Sequence, residues 1–202
     1  MNSHSDAVRT RDGMSLSLRH WPASDQTEPR GTSLLVHGLG EHIGRYERLA
    51  GKLCESGWSV VGYDQRGHGL SDGARGVLSQ SDDLLHDLAS VLDTIGQIRS
   101  NQKLVLLGHS QGGLVVGRLA CFMIEAAETV KNRSALWKTP TLLLYSGDDR
   151  CVCPIGSADF SSEAPEPLVE SHVYEQLRHE ILNEPEEAGV YSSLLDWLEK
   201  FA

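Results

Sequence analysis

No run in this chain approaches the roughly 18 consecutive apolar residues that a membrane span needs. No apolar h-region follows the opening MNSHSDAVRTRDG either, so no secretory signal is expected. Together these absences predict a cytoplasmic protein with no integral membrane segment. Basic charge is scarce: 18 Lys and Arg stand against 28 Asp and Glu, a formal net charge of −10. That balance argues against nucleic acid or an anionic membrane as the main partner. Cysteine is sparse, with Cys54, Cys121, Cys151 and Cys153. Free, buried or half-buried thiols are expected in a cytosolic chain. The CVC pair has neither the Cys-x-x-Cys spacing of a redox site nor a second cluster for zinc. Repeats and low-complexity tracts are also lacking.

What is present suits one globular domain over residues 1–202, with 40% hydrophobic and 23% charged residues. Strands are predicted at Ser15–Trp21, Thr32–Gly38, Trp58–Asp64, Lys103–His109, Thr141–Gly147 and Val169–Glu175. Several are continuous apolar runs, as in strands buried on both faces of a parallel sheet. Helical patterns fill the gaps. RYERLAGKLCESG is one. SDDLLHDLASVLDTIGQIRS is another, with a stripe of Leu84, Leu85, Leu88, Val91, Leu92, Ile95 and Ile98. A last helix, EPEEAGVYSSLLDWLEKF, is expected to hold Pro185 and acids in its first turn. Alternating strands and helices predict an α/β fold with a mostly parallel sheet.

LLGHSQGG, Leu106 to Gly113, joins an apolar strand to a helical segment through Gly-x-Ser-x-Gly. In a nucleophile elbow the serine sits on a tight strand-to-helix turn, and small residues two positions either side relieve the crowding. Gly108, Ser110 and Gly112 fit, with His109 beside the serine. The chain order for such a site is Ser, then an acid, then His. Asp148 and Asp149 follow the TLLLYSG strand, and His179 lies in the loop before the last helix, whereas His172 sits within a strand pattern. An oxyanion hole needs two backbone N–H donors. Gln111, after the serine, and Leu39, in the loop after LLVHG, supply candidates. Side chains near that loop, with His37, Gly38 and His109 as candidates, are expected to line an acyl pocket. Serine at the elbow speaks against dehalogenase and epoxide-hydrolase chemistry, where a carboxylate would stand there.

VHGLGEHIGRY, YDQRGHGLSDGARG, GHSQGG, YSGDDRCV and RHEILNEPE, in that order, resemble the monoacylglycerol lipase and lysophospholipase branch of the α/β-hydrolases. The resemblance runs from about Asp12 to Ala120 and again from about Thr139 to Ala202. It implies a Ser110, Asp149 and His179 triad, the acid being the one before Arg150. It implies Leu39 and Gln111 as oxyanion donors and no cofactor or metal. Asp64, Arg66 and His68 are implied to hydrogen-bond a structural loop. The implied substrate is a small-molecule ester or lipid, monoacylglycerol or lysophospholipid, cleaved through an acyl-enzyme. The pattern does not fix the oligomeric state.

The chain departs from the family in one place. Only 38 residues separate Ser110 from Asp149. That suffices for one crossover, so residues 111–140 are expected to be mainly helical, LACFMI included. They do not suffice for an additional core strand, a second crossover and a cap. A cap-less hydrolase with an open site would prefer short or soluble esters, thioesters included. A non-catalytic remnant acting as a binding module is the alternative, and exposed apolar surface would then drive association.

Overall fold

A computed structural model describes residues 4–98, 103–123, 137–185 and 187–201. Strands are β1 His4–Arg9, β2 Ser15–Trp21, β3 Gly31–Val36, β4 Trp58–Tyr63, β5 Leu104–Gly108, β6 Thr141–Ser146 and β7 Val169–Tyr174. Helices are α1 Glu47–Glu55, α2 Asp83–Ile98, α3 Gln111–Met123, α4 Ile155–Glu163 and α5 Ala188–Glu199. The chain divides into two compact units, Met1–Leu119 and Ala120–Ala202.

The first unit carries a five-stranded sheet in the order β1-β2-β4-β3-β5. The β1–β2 and β2–β4 ladders are antiparallel, while β3 pairs in parallel with both β4 and β5. One core joins Leu16, Leu18, Leu34, Val36, Val61 and Tyr63 of the sheet to Leu88, Val91 and Ile95 of α2. Of the expected α2 stripe, Leu84, Leu88, Val91 and Ile95 are inside and Leu85 and Leu92 pack at the margin, while the Ile98 side chain lies outside the described residues. Leu49, Ala50, Leu53 and Cys54 form the buried side of α1, which packs on β4 and β2. The second unit holds a parallel pair, β6–β7. Leu177, Ile181 and Val190 form a small core there with Leu144 and Tyr174. Trp137, Ala164 and Val169 form another with Phe160.

Several expectations need correction. β3 and β4 are buried throughout or nearly so, but β5 and β6 are only half-buried. Among the described residues β5 pairs with β3 alone and β6 with β7 alone, so each leaves one edge without a ladder. β1 was not foreseen, because HSDAVR offers a single buried apolar side chain, Val8. Neither was α4, whose residues form no buried stripe. Pro185 lies in a turn ahead of α5, whose N-cap is Glu187. The Glu184 carboxylate accepts the Arg178 N–H instead of entering the helix. Cys151 and Cys153 are exposed rather than buried, while Cys54 is buried as expected. LACFMI is helical as far as Met123. Residues 124–136, the rest of the expected crossover helix, lie outside the described residues.

The loop after β4 behaves as the DQRGHG reading implied. Asp64 accepts the N–H of Ile43 (2.7 Å) and of Leu70 (2.9 Å). His68 donates from Nδ1 to the Arg66 carbonyl (2.9 Å), which leaves Nε2 to accept the Gly40 N–H (3.1 Å). Arg66 is buried and forks onto Asp87 at 2.7 and 2.6 Å, with Asp12 and Asp83 each at 3.0 Å. The Asp87 bond raises the guanidinium further above its ordinary value, so Arg66 stays charged. Removing one member of such a cluster strands buried charge. Arg66→Met is therefore expected to lose about 3–5 kcal/mol of stability at neutral pH, read from urea unfolding. The loss should shrink as pH falls. Burial already holds the Asp87 pKa above its ordinary value, and without Arg66 to oppose it protonation of Asp87 favours the folded chain.

Candidate active site

Ser110 sits between β5 and α3 with φ of +52°, the single non-glycine positive φ among the described residues. For an L-residue this conformation costs on the order of 1–2 kcal/mol. The flanking glycines have steric reasons. A Cβ on Gly112 would lie 2.1 Å from the Val36 carbonyl oxygen and 2.6 Å from that of His37. A Cβ on Gly108 would lie 2.4 Å from the Gly112 carbonyl oxygen. The turn closes through His109 N–H to the Val36 carbonyl (3.0 Å) and Gly112 N–H to the His109 carbonyl (2.8 Å).

The loop after β3 comes close to this serine: a Cβ on Gly38 would lie 3.2 Å from Ser110 Cβ. Glu41 organises the loop. Its buried carboxylate accepts the Gly38 N–H (2.7 Å), the Tyr46 hydroxyl (2.8 Å), Arg45 (2.8 Å) and His109 Nδ1 (3.1 Å). Burial alone would raise its pKa. The bonds from His109, Tyr46 and Gly38 outweigh that and hold it at about 2, against an ordinary 4.5. His37 does not line a pocket as expected. It is fully buried, donating from Nδ1 to the Gly38 carbonyl (2.7 Å) and accepting the Gln65 N–H at Nε2 (2.9 Å). Burial lowers its pKa, so the ring is a neutral strut of one tautomer. Leu39 is exposed. Neither its N–H nor that of Gln111 has a hydrogen-bond partner among the described residues.

The second unit brings Asp149 and His179 together. Asp149 Oδ2 lies 2.8 Å from His179 Nδ1. Its Oδ1 accepts the N–H groups of Cys151 (2.8 Å) and Val152 (2.9 Å). Desolvation opposes ionisation here, but the His179 bond and the two N–H bonds prevail, and the Asp149 pKa is lowered. Asp148 is exposed and faces Arg150 at 3.4 Å instead. The His179 loop is held from both sides. The buried Ser146 hydroxyl donates to the Leu177 carbonyl, and the Glu184 carboxylate takes the Arg178 N–H at 2.9 Å. His172 projects from β7 to solvent. Glu41, Ser146 and Glu184 escaped the sequence reading. Each nevertheless lies in a motif that the sequence shows: Glu41 in VHGLGEHIGRY, Ser146 in YSGDDRCV and Glu184 in RHEILNEPE.

These strands, the elbow and the acid-bearing loop after β6 define an α/β-hydrolase fold. Residues 27–121 and 115–186 match the family model described as serine aminopeptidase, S33, and the chain belongs to that family. Mouse monoglyceride lipase is 38% identical over 104 residues, covering 52% of this chain and 34% of that protein. A Dictyostelium discoideum protein described as an uncharacterized abhydrolase domain-containing protein is 37% identical over 113 residues, 56% of this chain and 12% of its own length. The chain thus spans about a third or less of the curated relatives it matches. In structure it is similar to the monoacylglycerol lipase of Paleococcus ferrophilus, with a TM-score of 0.76, 22% identity and coverage of 93% and 99%. It is similar also to a Xanthomonas campestris α/β serine hydrolase without lid, with a TM-score of 0.78, 18% identity and coverage of 100% and 95%. No described helix is long and apolar enough to cross a membrane.

The Glu41 cluster generates a pH prediction. Its depressed pKa contributes stability that is fully present above about pH 4.5 and is lost as pH falls towards about 2. Glu41→Gln is expected to lose up to about 3 kcal/mol at pH 7 and to flatten the acid limb of the stability curve between those values. Chemical denaturation across a pH series measures both.

Proposed function

We propose that the protein is a serine hydrolase of carboxylic esters, acting on a glycerol-linked acyl ester of the monoacylglycerol or lysophospholipid type. The observation that carries this reading is the strained backbone of Ser110, which a turn without a chemical task has no reason to retain on a non-glycine residue. Ser110, His179 and Asp149 act as a triad. His179 Nε2 takes the Ser110 proton as Oγ attacks the ester carbonyl. Asp149 holds Nδ1–H and stabilises the imidazolium. The N–H groups of Leu39 and Gln111 receive the oxyanion, each such donor being worth about 3–4 kcal/mol in the transition state. The alcohol leaves with the proton from His179, and water then releases the acid by the same steps reversed. Glu41 keeps the Gly38–Leu39 loop and His109 in place for this. The names of the relatives, several of them monoglyceride lipases, support the substrate class.

The 38 residues between Ser110 and Asp149 leave no room for a cap beside a crossover. The likeness to a lid-less hydrolase fits such an architecture. The acyl group accepted is therefore short. The value of kcat/KM is expected to fall from butyrate to palmitate esters, and a steep rise with chain length would refute the open site.

A fluorophosphonate probe is expected to add once to the protein and not at all to Ser110→Ala, as read by intact mass. Absence of any adduct would remove the hydrolase reading in favour of a binding module. Asp149→Asn is expected to lower kcat by about 10⁴ through the wrong imidazole tautomer, while Asp148→Asn stays within a factor of a few of the parent.

A further inference from the structure

Hydrolysis gives Cys151 no task. Its thiol is exposed, yet it stands beside the acid–base pair. A carboxylate oxygen of Asp149, Cys151 Sγ and a ring nitrogen of His179 all lie within 4.8 Å of one another. The turn that donates the Cys151 and Val152 N–H groups to Asp149 Oδ1 fixes the carboxylate. Its other oxygen, Oδ2, is the one facing Nδ1 at 2.8 Å. Thiolate, imidazole and carboxylate together are the donor set of a borderline-soft divalent cation. Magnesium and calcium favour oxygen donors alone. Tetrahedral zinc, with bonds of about 2.0–2.3 Å, spaces its ligand atoms about 3.3–3.7 Å apart. The Asp149–His179 pair needs to open by about half an ångström and the thiol to close by at most about one. An exposed side chain makes that movement by rotation about χ1.

We propose that Asp149, Cys151 and His179 form a zinc site whose occupation switches hydrolysis off. The second half of this statement rests on His179 being the general base. Zinc takes the place of the proton shared by Asp149 Oδ2 and His179 Nδ1, with water as fourth ligand. The thiol gives its proton to solvent. The imidazole stays neutral, its one proton moving from Nδ1 to Nε2. A protonated Nε2 cannot accept the serine proton, so the base is held in the wrong tautomer. Two anionic ligands neutralise the dication, which leaves no net charge in the site. Zinc here is an inhibitor and no part of the hydrolytic steps.

The test uses the full chain. Zinc is titrated against a chromophoric indicator, and cobalt(II) is added separately to read the thiolate-to-metal charge-transfer band. Short-ester hydrolysis is followed with zinc and then with excess chelator, each variant being compared with its own metal-free rate. The expected result is one zinc per chain, a cobalt–thiolate band, and a rate that falls at least tenfold and returns with chelator. Cys151→Ser should lose the band, weaken zinc binding at least tenfold and shift inhibition to correspondingly higher zinc. Cys153→Ser should match the parent in all three. Absence of stoichiometric binding, inhibition unchanged in Cys151→Ser, or a band lost in Cys153→Ser would each overturn the site. Binding as expected in a protein that neither hydrolyses esters nor takes up fluorophosphonate would support the site and overturn the hydrolase reading instead.

Discussion

The first unit turns on a contact that admits no side chain: the backbone of Gly112 against the carbonyls of Val36 and His37. That approach ties the start of α3 to the end of β3. It forces the chain to reverse within Gly108–Gly112 and leaves Ser110 as the residue that must bend the wrong way. Everything placed near the serine follows from the same contact. The β3 end carries His37, Gly38 and Leu39, so the loop with candidate oxyanion donors is brought to the elbow by backbone packing rather than by a long side chain.

Charge then finishes what packing begins. Each chemically loaded segment has a buried or half-buried carboxylate receiving several donors: Glu41 for the β3 loop, Asp64 for the 3-10 turn at Ile43–Tyr46, Asp149 for the β6 loop. A carboxylate accepting two or more N–H bonds is rigid in a way that an apolar contact is not. The buried Arg66 fork is the opposite case, one cation binding Asp12 near the start of the chain and Asp83 and Asp87, one turn apart on α2. A chain of net charge −10 is thereby organised around a few well-placed donors.

The sequence was legible where structure is local or patterned. Six of the seven strands are legible, several of them as apolar runs, α2 shows as a stripe, and the elbow as Gly-x-Ser-x-Gly, because each obeys a short-range rule. The triad order pointed to His179 and to an acid after β6, and the Arg150 neighbour singled out Asp149, which is the one that meets His179. β1 was missed since its pairing with β2 is mostly backbone, with Val8 its one buried apolar side chain. α4 was missed since no stripe marks it. His37 was misread because adjacency in sequence does not say which way a ring turns, and its two nitrogens are both spent inside. The half-burial of β5 and β6 was illegible for a related reason: an apolar run records what a strand can bury and not how many neighbours it has.

The conformation of Ser110 has a consequence for how this position can change over time. Asparagine and above all glycine occupy positive φ more cheaply than serine does. A neutral drift at residue 110 therefore runs downhill in energy, towards a sturdier protein without a hydroxyl. With the proposed nucleophile at this position, chemistry and folding pull in opposite directions at one residue, a stability–activity trade-off written into a single dihedral angle.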